Sequence, residues 1–266
     1  MSDNDEPRDI LVTLDDGETF AAEIVGSDLQ TDVAVIRINA EGLVPAKLGD
    51  SSEVEVGEDA IAIGYALGLQ GGPTISKGIV SALGRFIEVD PVLQITMIDL
   101  IQTDASISPG NSGGPLVNTY AEVIGINTAK LQEGLDLGFA ININGARDVA
   151  LQLIEKGFVD RGFLGITPRN VTPALQAQLA LPVSDGVRID DFTNFPEVFA
   201  AEEAGLGRGD IIVSIDDEPI RNTGDLAKFL LKHPPGDTVQ VSVYRGNNTG
   251  TLEVTLGVSP LRPEVP

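Results

Sequence analysis

The chain has 266 residues, 42% hydrophobic and 21% charged, which is enough for one large or two ordinary domains with a buried core. Its 40 acidic and 17 basic residues give a formal net charge of −23, so we expect no nucleic-acid partner and no binding to anionic membranes. With no cysteine, we also expect no disulfide framework and no thiolate zinc site, and the single histidine leaves little for imidazole chemistry. No motif in the chain implies a metal or a cofactor.

Short β-strands dominate the first half of the chain. Residues 10–12 and 20–25 flank the turn Asp15-Asp16-Gly17, which predicts a hairpin. Gly78 predicts a bulge or a close approach between backbones. Further segments rich in Val and Ile predict strands at 32–38, 60–64, 74–83, 98–103, 115–117, 123–129 and 138–143. This density of short strands indicates a β-barrel or a sandwich.

A helix is predicted from Asn144, as N-cap, to Gly157, and a mixed α and β unit of about 100 residues follows from Asp160. In this second unit, Thr172-Pro173 starts a short helix ending at Ala180, and Thr223 caps a helix that Pro234-Pro235 ends. Its strands are predicted at 163–166, 186–189, 210–215, 239–244 and 251–256. The acidic pairs Asp190-Asp191 and Asp216-Asp217 are interpreted as solvated turns.

The segment Ser108-Pro109-Gly110-Asn111-Ser112-Gly113-Gly114-Pro115 is the sharpest chemical motif. A serine nucleophile needs an exposed Oγ and backbone N–H groups directed at the developing oxyanion, and neighbouring glycines allow both. A plain glycine-rich turn between two strands explains the pentapeptide equally well. The nucleophile elbow of the α/β-hydrolases is disfavoured, since strands rather than a helix follow Ser112.

Taken together, these motifs resemble the HtrA/Deg family of trypsin-like serine proteases with a C-terminal PDZ domain. The resemblance covers residues 9 to 257. Its motifs are Thr31-Asp32-Val33-Ala34-Val35-Ile36, Ser76-Lys77-Gly78-Ile79-Val80-Ser81, Ile101-Gln102-Thr103-Asp104-Ala105, Gly110-Asn111-Ser112-Gly113-Gly114 and Ile124-Gly125-Ile126-Asn127-Thr128. The implied fold is mostly β: a chymotrypsin-like double barrel, with the first barrel incomplete, followed by an α+β PDZ domain. The predicted domains are 1–157 and 160–258, with a tail at 259–266.

The resemblance also assigns roles in catalysis. It implies that Ser112 is the nucleophile and Asp32 the orienting carboxylate, although Asp32 alone is more typical of a turn at a strand start. The oxyanion hole would lie at Gly110, Asn111 and Ser112. Asp104 is interpreted as a carboxylate that binds a loop. An uncharged substrate pocket, which favours an apolar residue before the cleaved bond, would be lined by Ser106, Ile107, Gly138, Phe139 and Ala140.

The base histidine of this family lies in a Thr-Asn-x-His-Val-Val stretch just before the strand that begins here at Ile10. We therefore expect that this stretch and the opening strands of the first barrel are missing, and that the chain by itself is inactive. His233 is interpreted as a polar residue that complements the dipole at a helix end. Residues Met1 to Arg8 lack the apolar region of a signal peptide, and no run of 18 apolar residues is present.

The PDZ resemblance implies that peptide C-termini bind at Gly162, Phe163, Leu164, Gly165 and Ile166, opposite a helix that carries Leu230, through strand addition. A plain strand entry is equally compatible with that pentad. Two functions follow as hypotheses: an endopeptidase acting on unfolded or damaged proteins, and a catalytically silent scaffold that binds peptides. The resemblance further implies a periplasmic or exported protein and a homotrimer.

Overall fold

The structure is a computed structural model, and it describes residues 10–65, 72–90, 95–130, 137–193 and 200–259. The chain divides into two compact units. The first comprises the residues up to Ala82 together with Ile101–Phe158, and the second comprises Leu83–Leu100 together with the residues from Val159 onward. In the part that the structure describes, no helix has the length and apolar character to cross a membrane.

The first unit opens with a three-stranded antiparallel sheet, β1 (Ile10–Thr13), β2 (Thr19–Asp28) and β3 (Val33–Ile38), in that order. The predicted hairpin is confirmed, because β1 pairs with β2 across the turn that contains Gly17 at φ 89°. The sheet thus brings Asp32, between β2 and β3, to one of its ends.

Six strands then close a barrel in the order β4-β5-β6-β9-β8-β7. They are β4 (Asp59–Gly64), β5 (Thr74–Asp90), β6 (Ile95–Thr103), β7 (Pro115–Val117), β8 (Val123–Lys130) and β9 (Gly138–Asn142). The barrel is filled mainly by small and β-branched side chains, and buried positions alternate along β4. Its buried cluster is Val54, Ala60, Ala62, Val80, Ile101, Ala105, Ile107, Leu116, Ile124 and Ala140.

Two strands run further than the sequence predicted. The β5 strand continues past Leu83 to Asp90 and β6 begins at Ile95 rather than Ile98, and the 83–100 stretch falls within the second unit. The close approach expected at Gly78 is confirmed: a Cβ there would collide with the backbone of Ala105 and the carboxylate of Asp104.

Helix α1 (Ile143–Lys156) follows the barrel and packs against β2 and β3. Its N-cap is Asn142, whose Oδ1 accepts from Gly145 N at 2.8 Å, so the prediction of Asn144 was wrong by two residues. Asn144 instead ties the first turn to an upstream loop, donating from Nδ2 to Asp50 Oδ1 at 2.7 Å. Gly157 ends the helix in a left-handed conformation, as predicted.

The second unit contains β10 (Gly162–Phe163), β11 (Ile166–Asn170), α2 (Pro173–Leu179), β12 (Val187–Phe192), α3 (Ala200–Glu203), β13 (Ile211–Ile215), β14 (Glu218–Pro219), α4 (Thr223–Lys232), β15 (Thr238–Arg245), β16 (Asn248–Thr255) and β17 (Gly257–Val258). The main sheet has the order β11-β12-β13-β15-β16, with β14 paired to β13, and β10 pairs with β17. The mostly β class predicted from the sequence is confirmed. Residues 66–71, and residues 260–266 of the predicted tail, lie outside the described residues.

Several local expectations in the second unit need correction. The N-cap of α4 is Asn222 rather than Thr223, because the Asn222 Oδ1 accepts from Asp225 N at 2.9 Å. Asp190 and Asp191 lie on strand β12 and not in a solvated turn; they pair with arginines, Asp190 with Arg188 and Asp191 with Arg208. Asp216 and Asp217 do form an exposed turn, with φ values of 46° and 66°.

Candidate functional site

Ser112 lies exposed on the loop between β6 and β7. Short backbone bonds shape this loop: Asn111 N donates to Ser108 O at 2.9 Å and Gly114 N donates to Asn111 O at 3.0 Å. Gly110 has φ 100°, a conformation that other residues rarely adopt, so glycine is needed at that position. The loop therefore presents the Ser112 hydroxyl to solvent on a fixed backbone.

Thr128, on β8, joins the two residues predicted to be catalytic. Ser112 Oγ donates to the Thr128 carbonyl at 2.9 Å, and Thr128 Oγ1 donates to Asp32 Oδ2 at 2.5 Å. The structure thus brings Ser112 and Asp32 to opposite sides of one residue. Sequence reasoning gave Thr128 no role, although the residue ends the quoted Ile124–Thr128 motif.

Asp32 is held by the turn that connects β2 and β3. Asp28 Oδ2 accepts from Thr31 N at 3.0 Å and from Thr31 Oγ1 at 2.5 Å, which closes this turn. Asp32 itself has φ 57°, a left-handed conformation that costs a non-glycine residue about 1 kcal/mol or more. In this conformation the Asp32 carboxylate accepts the Thr128 hydroxyl hydrogen.

The candidate oxyanion hole has two available donors. Within the described residues, the N–H groups of Gly110 and Ser112 donate to no protein acceptor. The Asn111 N–H is already bonded to Ser108 O, so it contributes no donor, while the Gly110 carbonyl accepts from Tyr65 N at 3.1 Å. Two free, preorganised amides beside a hydroxyl are the arrangement that stabilises a tetrahedral intermediate.

Asn127 is a second residue that the sequence analysis missed. It is 1% exposed, and its Nδ2 donates to the carbonyls of Ile63, Asn111 and Pro115 at 3.3, 3.4 and 3.1 Å. Its backbone carbonyl accepts from Gly113 N at 2.8 Å. One buried amide thereby fastens both sides of the Ser112 loop to the end of β4.

The residues predicted to line a substrate pocket are dispersed between core and surface. Ile107 and Ala140 belong to the buried barrel cluster, and Phe139 is 3% exposed. Ile107 Cδ1 lies 2.7 Å from where a Cβ on Gly138 would stand, so the two positions are in contact. Ser106 is exposed, and its carbonyl accepts from Ser76 Oγ at 2.7 Å. Asp104 was expected to bind a loop, but its Oδ1 accepts from the N–H of Ile79, which lies on strand β5, at 2.6 Å.

His233 occupies the C-cap of α4, as the sequence predicted. Its ring stacks on Phe229 with centroids 4.0 Å apart, and its Nδ1 lies 3.5 Å from Asp237 Oδ2. Its carbonyl accepts from Gly162 N at 2.6 Å. The stacking on Phe229 and the contact with Asp237 engage the single imidazole of the chain within the second unit. Among the described residues, no cluster of three His, Cys, Asp or Glu side chains is placed to hold a metal ion.

The strand predicted at 163–166 is not continuous. Leu164 and Gly165 interrupt it, with Gly165 at φ 76°, so that Gly162–Phe163 pairs with β17 while Ile166 begins β11. Across the described chain, the N–H groups of Leu164 and Gly165 bond no protein acceptor. A turn with free amides at the start of a strand is suited to bind a carboxylate.

Helix α4 runs beside β11 and is attached at both ends. Gly162 N bonds the His233 carbonyl at the helix C-terminus, and Asn170 Oδ1 accepts from Thr223 N at 2.7 Å at its N-terminus. Leu164 and Ile166 lie in the core of this unit, and Leu230 packs on it, half-buried. We call the space between the outer edge of β11, the loop at Leu164 and Gly165, and helix α4 the groove.

Phe86 and Asp99 contact helix α4 within the same unit. A Cβ on Gly224 would lie 2.8 Å from the ring of Phe86, and Lys228 Nζ lies 3.1 Å from Asp99 Oδ2. Gly224 is therefore required by this close approach. Both α4 residues are one turn apart, so they present a single face of the helix.

Two family matches cover most of the chain. Residues 2–126 match the trypsin-like peptidase domain, and residues 162–256 match the PDZ domain. The serine protease Do-like HtrB of Bacillus subtilis is 39% identical over 259 residues, covering 93% of this chain and 56% of that protein. A probable periplasmic serine endoprotease, DegP-like, of Halomonas elongata is 37% identical and covers 95% and 52%. The chain thus spans about half the length of the curated relatives it matches.

Solved structures of serine proteases are also similar to this chain. The HtrA-type protease AlgW, determined with a decapeptide, superposes with a TM-score of 0.80 at 35% identity and covers 95% of this chain and 76% of that one. The serine endoprotease from Yersinia pestis superposes with a TM-score of 0.71 at 31% identity, covering 96% and 81%.

Proposed function

The chain belongs to the HtrA family of trypsin-like serine proteases with a PDZ domain. We propose that it contains the nucleophile, Ser112, and the peptide-binding domain of a serine endopeptidase. The observation that carries this proposal is that the Ser112 hydroxyl and the Asp32 carboxylate both hydrogen-bond the same residue, Thr128.

The reaction would proceed through an acyl-enzyme. Ser112 Oγ attacks the scissile carbonyl while a base takes its proton, and the N–H groups of Gly110 and Ser112 stabilise the oxyanion. The base returns the proton to the leaving amine as the C–N bond breaks. A water molecule, deprotonated by the same base, then releases the acyl group and restores Ser112. Asp32 would orient the base and stabilise its protonated form.

The base is the one component that these 266 residues do not supply to Ser112. Their single histidine, His233, is engaged by Phe229, Asp237 and Gly162. We therefore infer that the imidazole comes from residues outside this sequence or from another chain. Loss of a triad member leaves a residual rate lower by about 10⁴ to 10⁶.

Substrates would be unfolded or damaged proteins, with an apolar residue preferred before the cleaved bond, since no charged residue stands among the five pocket candidates. The PDZ unit would bind peptide C-termini along β11. The names of the relatives support a periplasmic or otherwise exported location. A homotrimer is part of the same proposal. The single histidine also supports a second candidate, a silent scaffold that keeps only peptide binding.

The test compares the 266-residue chain with a histidine-bearing form, extended at its N-terminus by the strands that carry the Thr-Asn-x-His-Val-Val stretch. We expect casein hydrolysis at about pH 8, where an imidazole base is deprotonated, only from the histidine-bearing form. Ser112→Ala should abolish this activity, and His233→Ala should leave it unchanged. Equal activity of the two forms, or activity that survives Ser112→Ala, would refute the assignment. Inactivity of both forms, with intact peptide binding, would favour the scaffold.

A further inference from the structure

Strand β11 is an edge strand, and its hydrogen bonds to β12 fix which of its residues face outward. On the β12 side, Thr193 N donates to Gly165 O and Val171 N donates to Gly186 O, both at 2.9 Å. Backbone groups alternate along an antiparallel strand, and the extra residue of the bulge lies on β12 between Ile189 and Asp191. Thr167 and Arg169 therefore bond β12, whereas Ile166, Pro168 and Asn170 face the free edge.

The middle residue of that free edge is a proline. Ile166 and Asn170 each present an N–H and a carbonyl, but Pro168 presents a carbonyl alone. An added antiparallel strand exchanges two bonds with each outward residue of its neighbour. Opposite Pro168, an added peptide can donate its N–H but finds no donor for its own carbonyl. Backbone pairing with an added peptide is thus complete at Ile166 and lacks one hydrogen bond at Pro168, the next outward-facing residue.

The groove is also short. Strand β11 has five residues, about 16 Å, and α4 has ten, about 15 Å, so the strand and the helix that border the groove have similar lengths. Asn170 closes the far end, where its side chain bonds both the amide and the hydroxyl of Thr223 at 2.7 and 3.2 Å. A peptide whose C-terminus lies at Leu164 and Gly165 would run along β11 and meet the contact between Asn170 and Thr223 just beyond its residue opposite Pro168.

We propose that Pro168 restricts recognition in this groove to the extreme C-terminus of the ligand. The ligand class is a peptide with a free carboxylate and an apolar last residue, bound through the amides that precede β11 and through full pairing at Ile166. Ligand residues further from the C-terminus add little to the affinity, because the residue of β11 with which they would first pair is Pro168, which has no N–H to donate. This inference rests on the proposed binding of peptide C-termini by the PDZ unit.

The test uses the complete 266-residue chain and an apolar-ended peptide of about ten residues, as free acid and as C-terminal amide. Pro168→Ala supplies the missing N–H, and we expect the free acid to bind about fivefold tighter, the worth of one added hydrogen bond. Pro173→Ala, which removes a proline from the start of α2 and not from the edge, is the matched control and should leave affinity unchanged.

The hydrogen bond gained in Pro168→Ala can be located with a series of peptides in which each backbone amide in turn is replaced by an ester. Because an ester carbonyl is a poor acceptor, one member of the series should lose the gain from Pro168→Ala while binding the unmodified chain normally. Equal affinity of the unmodified chain and Pro168→Ala, with the free acid still preferred over the amide, would overturn the role of Pro168 alone. If acid and amide bind alike to both, carboxylate capture is wrong and the inference fails with it.

Discussion

Thr128 donates its hydroxyl hydrogen to Asp32 at 2.5 Å, across 96 positions of sequence. The same residue accepts the Ser112 hydroxyl on its carbonyl at 2.9 Å. Thr128 is 6% exposed, so water competes little for either bond. The proposed nucleophile Ser112 and the proposed orienting carboxylate of Asp32 are thus joined through a strand of the barrel, in addition to the bonds within their own loops.

The first prediction concerns this hydroxyl. Thr128→Val keeps the shape of the side chain and removes the donor to Asp32, so kcat of the histidine-bearing form should fall about 10-fold to 100-fold while KM changes little. Thr128→Ser retains the hydroxyl and should restore most of the rate. Steady-state kinetics on a peptide substrate measure both. An unchanged kcat in Thr128→Val would show that Asp32 needs no such donor.

The second prediction concerns the amide that fastens the Ser112 loop. Asn127→Ala removes the side-chain donor to the carbonyls of Ile63, Asn111 and Pro115, of which the Asn111 carbonyl keeps a second bond, from Gly114 N. The free energy of unfolding should therefore fall by about 2–3 kcal/mol. Calorimetry of the 266-residue chain gives the value. Asn248→Ala removes an exposed asparagine and should change stability by less than about 0.5 kcal/mol. Equal effects of the two substitutions would contradict the role of Asn127.

The third prediction concerns the ion pair of the second unit. The carboxylate of Asp210 is 1% exposed and accepts from Arg245 Nε and Nη2 at 2.8 and 2.6 Å, and it raises the pKa of that guanidinium. Arg245→Met leaves a buried charge unpaired, and we expect a loss of about 3 kcal/mol in the free energy of unfolding. The surface pair of Arg208 with Asp191 supplies the control, since Arg208→Met should cost less than about 1 kcal/mol. A smaller loss from Arg245→Met than from the control would rule out this assignment.

The fourth prediction is a pH dependence at the start of α1. Hydrogen bonds from the Ser52 hydroxyl and the Asn144 amide lower the pKa of Asp50 from 3.8 to about 2. A carboxyl whose pKa is lower in the folded state stabilises the fold above its unfolded pKa, and this contribution is lost as the pH falls toward 2. The difference in stability between the unmodified chain and Asp50→Asn should therefore be constant above about pH 5 and shrink between about pH 4 and pH 2.

Chemical unfolding at a series of pH values measures this difference. Asp15→Asn, which replaces an exposed carboxylate in the turn between β1 and β2, is the matched control. A difference for Asp50→Asn that stays constant down to about pH 2 would show that the bonds to Ser52 and Asn144 do not act on its ionisation.

Strand positions followed from the sequence because their causes are local. Segments rich in Val and Ile, separated by turn residues, predicted most of the described strands, and Gly157 and Pro173 located a helix end and a helix start. Caps were less predictable: Asn142 and Asn222 displaced Asn144 and Thr223, because neighbouring polar residues compete for one cap and side-chain geometry decides among them.

The motif around Ser112, its glycines and the order of Asp32 before Ser112 were determined by the sequence itself, since these are matters of residue type and spacing. Tertiary structure alone decided that Thr128 joins Ser112 to Asp32, that Asn127 fastens the loop, and that Pro168 faces outward from β11. Each of these depends on contacts between distant segments or on the alternation of a paired strand. No property of the single residue carries that information, because the partner and the register exist only once the strands have paired.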